Sequence, residues 1–275
     1  ILNASDLISD IEKELYLNIC EEILFYTKII ISNAKTIARL DSILSLATAT
    51  FKNGWSKPVV NDGVKISFLE SSHPIVESNI GKNMFIKNDI FLSNDEDQIA
   101  IITGPNMSGK STYIRQAALL VILSQIGSFI PAKNSIVGII DKIFTRAGLS
   151  DDISGGNSTF MIEMLETASI LNQSTNRSLA ILDEIGRGTS TYDGLAIATA
   201  IVEFIHNTPS VAWKTLFATH YHEMTEISSY LPRVSNLKVQ VSEDKDDVIF
   251  LHKIVKGAAN KSYGVHVAKL AGIPE

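Results

Sequence analysis

The chain holds 275 residues, 45% hydrophobic and 20% charged, so it can bury a sizeable core and lacks the polar bias of a disordered segment. Its 24 Lys+Arg against 30 Asp+Glu leave a net charge of −6, which argues against a basic patch as a main source of nucleic-acid affinity. Cys20 stands alone, excluding an internal disulfide framework and a Cys-rich zinc site, and no apolar run approaches membrane-spanning length.

No basic and apolar leader opens the chain, so a reducing, intracellular setting is expected: cytoplasmic in a bacterium, nuclear or mitochondrial in a eukaryote. Residues 1–53 contain neither proline nor glycine. Ile19, Ile23, Tyr26, Ile30, Asn33, Ile37, Leu40 and Leu44 recur at alternating steps of four and three, which predicts a seam along one long helix. Such a helix either lies on a domain or projects and packs on another helix. The chain opens inside this pattern without methionine, as a fragment would.

Gly54 and Pro58 end the helical stretch, and Val64–Leu69 alternates as a strand does. His73-Pro74 then breaks it, because proline biases the preceding residue away from helical geometry. Beyond Ile99, short β-rich runs alternate with helical stretches. Ile99–Thr103, Leu179–Leu182 and Thr215–Ala218 read as buried parallel strands, Ser111–Ile126 and Thr189–His206 as helices. The expected fold is therefore α/β, with a mostly parallel sheet flanked by helices. The acidic Ser242–Asp247 run reads as a solvated hairpin tip.

Gly104-Pro105-Asn106-Met107-Ser108-Gly109-Lys110-Ser111 fits G-x-x-x-x-G-K-[ST], follows an apolar strand and opens a helix that continues with Thr112. Glycines let backbone N–H groups wrap phosphates, and the helix N-terminus adds positive potential. Lys110 can reach terminal phosphates, and the Ser111 hydroxyl can hold Mg²⁺. Downstream, the apolar run Leu179–Leu182 ends in Asp183 and Glu184. Asp183 suits Mg²⁺ coordination through water, and Glu184 suits orienting or deprotonating an attacking water. His220, after a third apolar run, can hydrogen-bond the terminal phosphate or that water.

Between these halves lies Asp151–Met161, a Ser/Gly-rich turn feeding a helix and hence a second anion-binding end. One chain does not need two such ends for one phosphate group. The segment admits two registers: Ile153–Asn157 looks like the transporter signature Leu-Ser-Gly-Gly-Gln and nominates Ser154, whereas Ser158–Met161 nominates Ser158.

Six segments in order resemble the MutS family: Thr103–Gln116, Gln125–Ala132, Ser158–Met164, Asp183–Gly194, Phe217–Glu223 and Lys261–Pro274. The resemblance implies a P-loop NTPase of ABC-ATPase type over residues 54–275, preceded by the lower end of a long lever helix at 1–53. It implies ATP and Mg²⁺ as ligands and favours Ser158 as the group reaching the nucleotide of the opposite subunit. By the same resemblance, Phe85 and His252 match positions that sandwich the adenine. The implied partners are mismatched double-stranded DNA, held mainly by domains this sequence lacks, and a second MutS-type subunit in a homo- or heterodimer. A MutL-type protein is a further implied partner, and no membrane is.

Some residues depart from the family pattern. Ser108 replaces a common glycine, and Arg146-Ala147-Gly148-Leu149 differs from the usual Arg-Ile-Gly-Ala. Phe68-Leu69-Glu70 spells the family's mismatch wedge but falls in a predicted strand, so it reads as coincidence. A transporter ATPase would need a docking subdomain between Lys110 and Asp151, where only roughly 40 residues stand. Long coiled-coil ATPases place the two motifs at opposite chain ends. A non-catalytic scaffold would have no need of Lys110, Ser111, Asp183, Glu184 and His220 together. A MutS relative acting in recombination, or another ABC-class repair ATPase, stays open on these residues.

Overall fold

The computed structural model describes residues 2–106, 108–146, 159–244 and 247–259. It divides into two compact units, residues 1–52 and 53–275.

The first unit is a single helix, α1 (Leu2–Asn53), whose sequence offers no proline or glycine to break it. Thr36, Ser42 and Thr48 turn their hydroxyls back onto the carbonyls of Ser32, Ala38 and Leu44, the i−4 bonding by which such residues are accommodated within a helix at a slight cost. Gly54 follows at φ 65°, the left-handed geometry in which glycine stops helices. The apolar seam residues from Ile19 to Leu44 are all exposed.

The second unit runs β1 (Val59–Asn61), β2 (Lys65–Ser71), α2 (Pro74–Ile80), β3 (Asn88–Ser93), β4 (Ile99–Thr103), α3 (Lys110–Gln125), β5 (Asn134–Gly138) and β6 (Ile143–Arg146). It continues with α4 (Thr159–Gln173), β7 (Leu179–Asp183), α5 (Thr191–Asn207), β8 (Lys214–Thr219), a 3₁₀ segment (His222–Ser229), β9 (Val234–Asp244) and β10 (Asp247–Lys256). Six strands form the main sheet in the order β10-β9-β4-β8-β7-β6, parallel throughout except for the antiparallel β9–β10 pair.

The central strands β4, β8 and β7 are buried on both faces, which is why they read as continuous apolar runs. Along β4, Ala100 and Ile102 enter one core with Ile114, Ala117 and Val121 of α3 and Phe68 of β2. Ile99 and Ile101 point the other way, into a second core with Ala198, Val202 and Ile205 of α5 and Met224 of the 3₁₀ segment. The same alternation splits Ile181 from Ala180 and Ala218 from Phe217. Each fully buried isoleucine contributes roughly 1.5–3 kcal/mol.

Three features differ from the sequence reading. Residues 53–138 contribute a second, mixed sheet in the order β1-β5-β2-β3, in which only the β1–β5 pair is parallel. Its Phe68 is buried in the core, so Phe68-Leu69-Glu70 cannot present a wedge. Pro74 both ends the β2 region and opens α2: it needs no N–H partner in a first turn, and His73 before it is extended and accepts a bond from Val76 N. The acidic Ser242–Asp247 run lies at the end of the β9–β10 hairpin, as read, but its flanks are paired strand rather than loop, Ser242 opposite Ile249 and Asp244 opposite Asp247.

Candidate functional site

The sheet order places β4, β8 and β7 side by side, with Thr103 registered opposite Thr219 and Asp183 opposite Ala218. Their carboxyl ends therefore release three turns at one edge: Gly104–Gly109 after β4, Glu184 after β7 and His220 after β8. Open α/β sheets bind ligands at this edge.

The Gly104–Gly109 turn bends where its glycines allow, Gly104 at φ 152° and Gly109 at φ 101° as the N-cap of α3. Ser108 is buried and donates to Pro105 O at 2.7 Å, so its hydroxyl ties the turn to itself. Lys110 is also buried, and Nζ folds back to donate to Gly104 O at 2.6 Å and Pro105 O at 2.9 Å. Burial pulls its pKa down from 10.5 to about 8, against the opposing pull of Glu184 and Asp183.

Asp183 ends β7 with a buried Oδ1 that finds no hydrogen-bond partner among the described residues. A buried carboxylate oxygen without a donor is costly, and a cation there relieves it. Glu184 follows in left-handed geometry, φ 57°, strained for a residue with a Cβ. Its N–H donates to Ala218 O at 2.9 Å. His220 Nε2 and Glu184 Oε1 lie 2.7 Å apart, and Arg187 Nη1 pairs with Glu184 Oε2. The His220 bond, joined by Arg187, holds the Glu184 carboxyl down to about 2 against the effect of burial.

A cavity of about 340 Å³ joins this edge to an apolar end. Gly109, Lys110, Ser111, Thr112 and Glu184 line one part, while Val76, Ile80, Met84, Phe85 and Ile86 line the other, with His252 alongside. A second hollow, of about 290 Å³, includes Asn106, Glu184, Arg187, Thr219 and His220, so Glu184 borders both. His252 sits in an irregular stretch of β10 at φ 52°, its Nδ1 3.0 Å from Ser108 O. Phe85 and His252, 167 positions apart in the chain, thus share one cavity with the glycine turn.

Pro105, Asn106, Ser108 and the helix-opening residues line the cavity. Met107, Ser154 and Ser158 lie outside the described residues, as does Lys261–Pro274. Among residues the sequence reading passed over, Arg187 pairs with Glu184, and buried Glu163 of α4 accepts from Gly186 N. Asn88 lines the same cavity and bonds Ile86 O, His252 O and Ile254 N. Arg187 and Glu163 lie within the motif segments Asp183–Gly194 and Ser158–Met164 and could have been noticed, but Asn88 carries no local signal.

Residues 100–275 match the family model for MutS domain V. The chain is 52% identical over 275 residues to the DNA mismatch repair protein MutS of Dehalococcoides mccartyi, covering 100% of this chain and 32% of the relative. It is 51% identical over 274 residues to that of Lachnoclostridium phytofermentans and 49% over 275 residues to that of Protochlamydia amoebophila, covering 100% of this chain in both. It spans 29% and 32% of those two relatives. By whole-chain identity and by the order of its motifs, the chain belongs to the MutS family of DNA mismatch repair proteins.

Proposed function

We propose that residues 54–275 are a P-loop ATPase of ABC type that binds and hydrolyses ATP to control the grip of a MutS-type protein on mismatched DNA. Residues 1–53 are then the lower end of a lever helix leading to the DNA-binding parts. The single observation that carries this reading is the meeting of Lys110, Ser111, Glu184, Phe85 and His252 around one cavity. The relatives are named for mismatch repair, which weighs against a recombination relative.

In this reading the triphosphate lies along Gly104–Thr112, Met107 included, and Lys110 leaves the carbonyls of Gly104 and Pro105 for the β- and γ-phosphates. The nucleobase occupies the apolar end between Phe85 and His252. Mg²⁺ neutralises developing phosphate charge when bound; the Ser111 hydroxyl and the partnerless Asp183 Oδ1 fit it. Glu184, ionised at neutral pH, orients the attacking water or serves as its general base. His220 keeps that carboxylate aimed and hydrogen-bonds the water or the γ-phosphate. Ser158 of a second MutS-type subunit closes the site, so the working unit is a homo- or heterodimer that signals to a MutL-type partner.

The test is a pair of substitutions in the full-length protein. Glu184→Ala is expected to leave ATP binding near wild type while hydrolysis falls by at least roughly 10²-fold, the scale of losing a general base. Lys110→Ala is expected to weaken binding itself. Equal turnover in Glu184→Ala and wild type would remove the assignment.

A further inference from the structure

Asn88, the first residue of β3, is buried, and its carboxamide makes three hydrogen bonds. Oδ1 accepts from Ile254 N at 2.8 Å, and Nδ2 donates to His252 O at 3.0 Å and Ile86 O at 3.2 Å. One N–H and two carbonyls around the group fix which end is oxygen and which nitrogen. The two elements it joins are the two walls of the cavity's apolar end. Ile86 follows Phe85, and Phe250 and Ile254 bracket the irregularity where the β9–β10 register shifts, with His252 inside it.

That irregularity needs a restraint from outside β10. His252 is held at φ 52°, a conformation a residue with a Cβ keeps only when its surroundings enforce it. From there its ring reaches Ser108 O in the glycine turn. The backbone of Asn88 adds a third anchor: its carbonyl accepts from Ser71 Oγ at 2.7 Å, and Ser71 Oγ accepts from Gln116 Nε2 of α3 at 2.8 Å. The Asn88 carboxamide thereby links the Phe85 loop to the His252 bulge, and its backbone carbonyl ties both to the helix that opens at Lys110.

We infer that Asn88 is a positioning residue for the base half of the nucleotide, setting the gap between Phe85 and His252 so that the protein distinguishes ATP from a bare polyphosphate. This rests on the nucleotide-site reading above. The Asn88 carboxamide bonds the two walls of the apolar end and reaches the glycine turn only through the His252 ring, so its main effect falls on base recognition. An aspartate at 88 keeps the size and the acceptor for Ile254 N but loses both donors and turns a carboxylate toward two carbonyls.

The experiment measures binding of ATP and of inorganic tripolyphosphate to the full-length protein in wild type, Asn88→Asp and Asn88→Ala. ATP affinity is expected to fall roughly tenfold in either variant, the scale of losing one or two buried hydrogen bonds, while tripolyphosphate affinity stays within about twofold. A double-mutant cycle guards against general damage: in a His252→Ala background, Asn88→Ala should cost at most about threefold toward ATP. Equal losses for ATP and tripolyphosphate would make Asn88 a structural residue and overturn the inference. So would the full tenfold loss persisting without the His252 ring. A wild-type protein binding tripolyphosphate as tightly as ATP would fail the base-site reading itself, a result visible before any Asn88 variant is made.

Discussion

Lys110 is buried on its own loop, and the consequence for pH has a definite sign. With its ammonium pulled to about 8 by burial, the free protein loses that charge as pH rises past 8, whereas bound phosphates hold the proton on. ATP binding must then take up a proton above that point. Affinity should be flat in this respect below pH 8 and fall toward tenfold per pH unit above it, roughly the limit for one linked proton. Fold stability should move the opposite way. A lysine whose folded pKa lies below its unfolded value destabilises the fold at low pH, and this cost disappears as pH climbs through the interval from about 8 to 10.5. ATP titrations from pH 7 to 9.5, with Lys110→Arg as a permanently charged control, check it; a wild-type profile as flat as the arginine variant's would refute the linkage. The glycine turn and acidic pair were legible in the sequence because each is a run of consecutive residues whose chemistry depends on adjacency. Asn88 was not, because 164 positions separate it from the His252 carbonyl it holds.

Between single residues and the whole sheet stands the turn from Glu184 to α5. Gly186, at φ 88°, and Gly194, in the first turn of α5, pack backbone to backbone. A Cβ on Gly186 would stand 2.6 Å from Gly194 O, and one on Gly194 would collide with Gly186 O and with Tyr221 Oη. Tyr221 donates to that same Gly186 carbonyl at 2.9 Å, and Ser190 caps α5 by accepting from Asp193 N. The glycine contact thus fixes where α5 begins relative to Glu184. Gly194→Ala should cost about 1–3 kcal/mol, the usual penalty for overpacking, and should reduce hydrolysis more than ATP binding. Urea midpoints and steady-state kinetics test this; an unchanged midpoint with unchanged turnover would mean that the turn relaxes freely. At this scale the sequence disclosed the three central strands, since burial on both faces leaves uninterrupted apolar runs. The mixed sheet of β1, β5, β2 and β3 was hidden, because its short strands come from separated stretches and no pattern within β1 names β5 as its neighbour. The acidic run disclosed the end of the β9–β10 hairpin but not how far its strands extend, because solvated composition describes side chains, while strand pairing is a backbone matter.

At the scale of the molecule, the proposed function puts a phosphate-binding helix end at α3, and the sequence offers a second in the Ser/Gly-rich segment ahead of α4. The chain spans 32% of the length of the MutS relative from Dehalococcoides mccartyi, so the dimer has to be tested in the full-length protein. Glu163 of α4 accepts from Gly186 N, bracing α4 against the turn that follows Glu184, and Arg146 of β6 reaches Glu166 at 3.0 Å, tying α4 to the sheet. A serine just ahead of α4 that engages a partner's nucleotide would therefore be coupled through α4 to its own chain's Glu184. Two proteins that are each inactive, Lys110→Ala and Ser158→Ala, discriminate action across the dimer from action within one chain. A mixed dimer keeps one complete composite site, an intact phosphate loop facing an intact Ser158. Activity should reappear on mixing, up to about half of wild-type turnover per mixed dimer if the sites work independently. Cooperativity between the sites would lower that figure, so the criterion is clear rescue above both parents. If heterodimers form, as mass measurement can verify, and no activity returns, Ser158 acts within its own chain or not at all. Complementation by Ser154→Ala in place of Ser158→Ala would move the role to the other register.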